Sequence, residues 1–214
     1  MQIAILLYPD LTALDAIGPY EVLGRLPGVE VVFTAKEAGP VRTDLGSLTM
    51  TVDRPLGEVT RPDVLLVPGG PGTAAQLADQ EVLAWVRSVD RTTRWTTSVC
   101  SGSLLLAAAG LLTGRRATSH WAALDGLARL GAQPVGDERM VPDGKYLTAA
   151  GVSAGLDMAL RLAGSIAGDR TAEAVQLVLE YDPQPPYRAG SIATAPAGLA
   201  DLLRANGLVV PALD

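Results

Sequence analysis

The 214-residue chain holds one cysteine and one histidine, Cys100 and His120. A single cysteine excludes an intrachain disulfide framework and a cysteine-rich metal centre. With only one histidine beside it, a structural zinc site is not expected, and the sequence calls for no metal or organic cofactor. Aromatic residues make up only 4% of the chain against 48% hydrophobic residues, so the core must be built from Ala, Val and Leu. Positive charge is also scarce. A net charge of −6 argues against a nucleic acid partner, which generally needs a basic patch. No apolar run reaches membrane-spanning length, and the longest is interrupted by Gly110 and Gly114. The start, "MQIAILLYPD", has neither a basic leader nor a small-residue cleavage site. The expectation is a cytoplasmic protein with no membrane partner.

Strand-like and helix-like runs alternate along the chain. "QIAILLY", "VEVVFTA", "DVLLVP" and "RWTTSVC" are short, continuous apolar or β-branched runs, as expected of strands buried on both faces. The run "LTALDAIGPYEVLGRL" has helical spacing, but Gly18 and Pro19 predict a kink or a restarted helix within it. Helices are also predicted over Gln80–Arg91, over "GSLLLAAAGLL", from about Ala122 to Leu130, and over "SAGLDMALRLAGSIAG" and "DRTAEAVQLVLEY", with Ser153 and Asp169 as caps of the last two. Hairpins are expected around Gly46 and at Asp143-Gly144. This order predicts one domain over residues 1–214, with a Pro-rich tail from about residue 181 that drapes over the surface or crosses to a partner subunit. The fold class is α/β: a flavodoxin-like sandwich with a mostly parallel central sheet and helices on both faces. In such folds sites lie at the carboxyl ends of strands. The loops there carry Asp15, Gly69-Gly70 and Cys100.

Cys100 ends one strand-like run and opens a helix-like run, in "SVCSG". A strand that ends in a nucleophile and turns at once into a helix is a nucleophile elbow. Ser98 and Gly102 satisfy its demand for small residues two before and two after. The elbow predicts an exposed sulfur at a helix N-terminus, where the dipole and free N–H groups favour thiolate. The bland alternative is a small buried hydrophobe. Gly69 and Gly70 form a turn whose backbone could point at the sulfur; the Gly70 and Ser101 N–H groups would then make a hole for developing negative charge. Asp15 is either a solvent-facing residue of a helical turn or a buried acid whose raised pKa lets it share a proton with the sulfur. His120 is the only residue that could form a Cys–His pair, although a lone histidine more often has a structural role.

Together "LDAIGPYEVL", "DVLLVPGGPG", "SVCSGSLLLAAAGLLTGRRATSHW", "AAGVSAGLDMAL" and "QLVLEYDPQPPYRAGS" resemble the PfpI superfamily, of the class I glutamine amidotransferase-like fold, across almost the whole chain. Within it the sequence looks most like the isonitrile hydratases, which add water to R–N≡C to give an N-substituted formamide. Asp15 stands where most of the superfamily carries Glu, as in those hydratases, and Ser101 stands where they often carry Thr. The resemblance implies a hydro-lyase acting on a small-molecule isonitrile. Cys100 would be the nucleophile and Asp15 the acid and base. Ser101, Gly69 and Gly70 would lie by the sulfur, with His120, Gly151 and Val152 along the pocket. It also suggests a homodimer. Two alternatives stay open: another cysteine-dependent enzyme of this fold (a hydrolase, a glyoxalase-like enzyme or a covalent chaperone), and a non-enzymatic redox or ligand sensor. The same motifs occur in sensor domains of some transcription regulators, which continue into a basic DNA-binding module; no such module precedes Asp214.

Overall fold

The computed structural model describes residues 1–209; residues 210–214 of the expected single domain lie outside that range. In chain order the elements are β1 (Gln2–Leu6), α1 (Ala13–Leu23), β2 (Glu30–Ala35), β3 (Gly39–Arg42), β4 (Thr49–Val52), β5 (Arg54–Pro55), β6 (Val64–Val67), α2 (Thr73–Leu77), α3 (Gln80–Asp90) and β7 (Trp95–Val99). Then follow α4 (Gly102–Ala108), β8 (Arg116–Ala117), α5 (Leu124–Arg129), β9 (Gln133–Pro134), β10 (Met140–Asp143), β11 (Tyr146–Ala149), α6 (Ala154–Ala167), α7 (Asp169–Val178) and α8 (Leu199–Ala205).

Seven strands form the central sheet in the order β10-β11-β7-β6-β1-β2-β5. Every pairing is parallel except the edge hairpin β10–β11, which turns at Gly144 with φ of +63°. The aliphatic runs "IAIL" of β1 and "VLLV" of β6 are buried throughout, as strands flanked on both sides and covered on both faces must be. Because β1, β6 and β7 are neighbours and parallel, the loops after all three open at the same end of the sheet. That end carries the site.

The helices show why sequence patterning worked and where it did not. Helix α3 buries Val82, Leu83, Val86 and Val89 along one stripe, and Asp79 caps it by accepting from the N–H groups of Glu81 and Val82. The run with Gly18 and Pro19 does not break: α1 is one helix from Ala13 to Leu23 with Pro19 inside it. Pro19 and Gly18 serve packing instead. A Cβ on Gly18 would touch Leu156 of α6 at 3.4 Å, and Pro19 itself lies against Gly155 of α6. Two expected caps are also corrected. Ser153 makes no capping bond and accepts instead from Arg139 Nη2, while Asp169 already lies in the first turn of α7, behind Gly168. Helix α4 ends at Ala108 rather than near residue 112, because the chain needs φ of +79° at Gly110, which a helix cannot supply. The tail from 182 to 196 contains no regular element, and one short helix, α8, follows it.

The crossing of β7 and α4 over the loop after β6 is among the tightest spots in the fold. A Cβ on Gly102 would lie 2.1 Å from the Val67 carbonyl oxygen and 2.7 Å from that of Pro68. Gly102→Ala is therefore expected to cost about 1–3 kcal/mol, in the range of forced overpacking. Urea unfolding checks this, and an unchanged midpoint would mean that the crossing is loose.

Candidate active site

Cys100 follows β7 directly and has φ of +57°, a left-handed conformation that is rare for a residue with a side chain. The strain is held from several sides. Its N–H donates to the carbonyls of Ala149 (3.1 Å) and Ala150 (2.9 Å), and its own carbonyl accepts from Ser103 Oγ (3.2 Å) and Ser119 Oγ (3.0 Å). Strained backbone held this firmly is typical of a site that must aim one side chain.

The sulfur is not exposed as the elbow pattern predicted. Cys100 is only 4% accessible. Burial pushes its thiol up to about 12, and the nearby Asp15 charge pushes the same way. The backbone N–H groups of Val152 and Ser101 and the Ser101 side chain pull in the opposite direction without winning. Val152 reaches this position through a φ of +27°, just before α6. The expected thiolate-favouring helix terminus is thus present, but desolvation exceeds it.

Asp15 resolves the two alternatives left open by sequence: it is fully buried. Its position on α1 turns it toward the loop after β6, where Gly69 N–H donates to Oδ2 at 2.9 Å. Oδ1 is buried with no partner of hydrogen-bonding geometry. Burial raises this carboxyl to about 7, the Gly69 N–H lowers it, the Asp44 carboxylate raises it further, and the Cys100 thiol lowers it. The acid and the thiol are therefore neighbours in a dry site, and both are pushed toward their protonated forms.

The predicted hole for negative charge is built differently. Gly70 N–H donates to Ser101 Oγ at 3.0 Å and is not aimed at the sulfur. Ser101 Oγ also pairs with Thr73 Oγ1 (2.9 Å), which pairs with the Tyr8 hydroxyl (3.1 Å), which in turn donates to the Pro68 carbonyl (2.6 Å). This chain of hydroxyls fixes Ser101. Burial raises the Tyr8 phenol well above its ordinary value, so it remains a donor. Gly69 is required by contact, since a Cβ there would fall 2.5 Å from Ser101 N and 2.9 Å from Cys100 Cβ. The N–H groups that favour a charged sulfur belong to Ser101 and Val152.

Among the described residues, His120 makes no hydrogen bond to Cys100 or Asp15. Its Nδ1 accepts from Ala122 N–H (3.3 Å), its ring lies 5.2 Å from that of Trp121, and burial lowers its pKa, favouring the neutral ring. It lines a cavity of about 460 Å³ together with Gly151 and Val152. Gly151 must be small there, because a Cβ would sit 2.7 Å from His120 Cδ2. Sequence reading missed Tyr8, Thr73 and Ser119. Tyr8 and Thr73 had a signal: each follows a strand at the carboxyl end of the sheet, one beyond "AILL" and one beyond "PGGPG". Ser119 had none, because its partner is a backbone carbonyl. Among the described residues, no group of three or more His, Cys, Asp or Glu side chains could hold a metal ion. No helix among them is long and apolar enough to cross a membrane.

The chain is 46% identical over 204 residues to an isonitrile hydratase of Pseudomonas putida, covering 95% of this chain and 89% of that protein. A crystal structure of a THiJ/PfpI family protein from Pseudomonas syringae superposes with a TM-score of 0.91 at 42% identity, covering 95% of this chain and 86% of that one. An HTH-type transcriptional regulator of Pseudomonas aeruginosa, CdhR, is 34% identical over 137 residues, which cover 64% of this chain but 40% of the regulator. Residues 1–164 match the DJ-1/PfpI family, a span that includes Asp15, the Gly69-Gly70 turn, the elbow and Val152. By the likeness of both sequence and fold, this chain belongs to the DJ-1/PfpI family.

Proposed function

We propose that the protein is an isonitrile hydratase, a hydro-lyase that converts R–N≡C and water to R–NH–CHO through a thioimidate on Cys100. The observation that carries this reading is the buried Asp15 Oδ1, unpartnered and beside the only thiol of the chain. The similarity to the Pseudomonas putida isonitrile hydratase supports it. We further infer that the protein works in the cytoplasm as a homodimer; the exposed apolar side chains of Leu177 and Val178 on α7 support the second part.

In this mechanism one proton is shared between Cys100 and Asp15. As the sulfur attacks the terminal carbon of the isonitrile, the thiol proton passes to Asp15 and on to that carbon. The S–H bond breaks, S–C and C–H bonds form, and the product is R–N=CH–S–Cys100. Asp15, again a carboxylate, then takes a proton from water as the water oxygen adds to the same carbon, and passes that proton to the nitrogen. Collapse of the tetrahedral intermediate breaks the C–S bond, releases the formamide and returns the proton to the pair. The Ser101 and Val152 N–H groups favour negative charge on sulfur as it departs. A buried carboxyl suits this work: its proton affinity lies near neutrality, so it gives and takes a proton at comparable cost.

Replacing the two members of the pair separates their roles. Cys100→Ala is expected to abolish formamide production. Asp15→Asn should lower kcat by roughly 10²–10⁴-fold, the usual range for general acid–base catalysis. Formamide release from a panel of aliphatic and aromatic isonitriles measures both, with circular dichroism to verify folding. Near-normal turnover by Asp15→Asn would remove the carboxyl from the mechanism.

The pH dependence follows from the same pair. Below the raised pKa of Asp15, about 7, the pair binds a second proton, and the carboxylate needed to accept the thiol proton is lost. Activity should therefore fall as pH drops through about 7, well above the ordinary carboxylate range, with no loss on the alkaline side until the pair gives up its last proton. A kcat/KM profile checks this. An acid limb near pH 4 would show that Asp15 titrates as an ordinary surface acid.

A further inference from the structure

The cavity of about 460 Å³ is lined by residues that hold the Cys100 backbone, Ala150 and Ser119, and has one wall that the site so far described does not use. Val152, whose N–H favours charge on the sulfur, lines it, and so does Ser119, whose hydroxyl holds the Cys100 carbonyl. Trp121 and a stretch of the tail, Gly190–Ala193, line it as well, with Ile192 as the largest apolar side chain of that stretch. Ile192 is half-exposed, an apolar group facing a void large enough for a small organic molecule.

The tail is seated on the body in an unusual way. Among the described residues, every hydrogen bond made by residues 191–208 stays within that stretch: Ser191 with Thr194 and Ala195, and the turns of α8. The segment is fixed to the body by packing and by the Arg204 guanidinium of α8, 5.0 Å from the centre of the Trp121 ring. A wall held by side-chain contacts alone can change its spacing without breaking backbone pairing. Among the charged side chains that line the cavity, Glu138 pairs with Arg116 and Arg139 pairs with Asp157 and Ser153, while Asp137 has no ion pair among the described residues. With its one arginine engaged and Asp137 at the lining, the cavity suits a neutral group better than an anion.

We infer that Ile192, with Trp121 and Val152, forms the pocket for the substrate's R group, and that Ile192 sets which R groups are accepted. This rests on the proposed isonitrile reading. An isonitrile is linear at its reactive end, so its terminal carbon can reach a nearly buried sulfur while the bulk stays in the wider cavity. A cyclic or branched aliphatic or aromatic R group would cover Ile192 and expel water from it. A methyl group is too short to reach that wall.

The test compares cyclohexyl isonitrile with methyl isonitrile on the wild-type chain, Ile192→Ala and Ile192→Trp. Ile192 lies outside the folded core, so both variants should keep the wild-type circular dichroism spectrum. Each is expected to raise KM for cyclohexyl isonitrile by about 10-fold or more, with kcat little changed and methyl isonitrile turnover within about twofold of wild type, as for altered apolar pocket contacts. Calorimetric binding of N-cyclohexylformamide should weaken in parallel, whether or not turnover occurs. If the wild-type chain hydrates both isonitriles but neither variant changes their ratio, the tail is not the specificity wall and the proposed activity stands. If no isonitrile is turned over, that activity falls. The pocket assignment then survives as an apolar site only if N-cyclohexylformamide binds and Ile192→Trp weakens it; absence of binding overturns it as well.

Discussion

The left-handed turn of the backbone at Cys100 governs the rest of the site. To hold φ at +57° the chain commits the carbonyls of Ala149 and Ala150 and two serine hydroxyls to one residue. Gly102 and Gly69 must lack side chains so that α4 and the loop after β6 can close on it. The same loop then serves Asp15. Gly69 gives its N–H to the carboxylate and its carbonyl to Thr12 N–H, at the start of the helix that carries Asp15. Cys100 and Asp15 are thus positioned by one interlocked set of backbone groups at the ends of four adjacent parallel strands, β11, β7, β6 and β1. A nucleophile carried on a flexible loop would need a separate device to hold its acid in register.

Burial decides the electrostatics. A helix terminus contributes typically 0.3–1 kcal/mol, less than one pKa unit, whereas full desolvation can move a group by 3–5 units. The sequence context at the elbow pointed to an activated thiolate, yet the thiol is raised to about 12 and the carboxyl to about 7. Neither group is well suited to catalysis alone. In the proposed reaction the resting negative charge sits on the carboxylate, which Gly69 N–H supports and which accepts the thiol proton when the substrate carbon arrives, so that no free thiolate has to wait in the dry site. Asp44 adds to this from outside the pair, since its negative charge raises Asp15 further. It is held by the Thr12 hydroxyl at 2.7 Å, on the loop between β3 and β4.

The parts of the fold that sequence made legible are those where a local pattern has one physical reading. Continuous aliphatic runs in β1 and β6 implied buried parallel strands, and parallel strands placed the Asp15, Gly69 and Cys100 loops at one end. Gly102 was legible because an elbow demands a small residue there. What escaped were features decided by distant partners. Pro19 looked like a helix breaker because its contact with Gly155 lies 136 positions away in the sequence numbering of the two residues. The exposure of Cys100 was misjudged because covering it takes segments from before α6 as well as its own helix. Gly70 N–H was assigned to the sulfur because nothing local reveals that Ser101 Oγ claims it. The hydroxyl chain through Tyr8 and Thr73 joins three loops and leaves no spacing signature in any of them.

The central claim is that the isonitrile carbon becomes bonded to Cys100 during turnover. Acid quenching of the wild-type enzyme in the steady state, followed by peptide mass spectrometry, tests it most directly. The peptide containing Cys100 should carry the added mass of one whole isonitrile while substrate remains and lose it once substrate is exhausted. Formamide production with that peptide unmodified at every quench time, including times shorter than one turnover, would contradict the account.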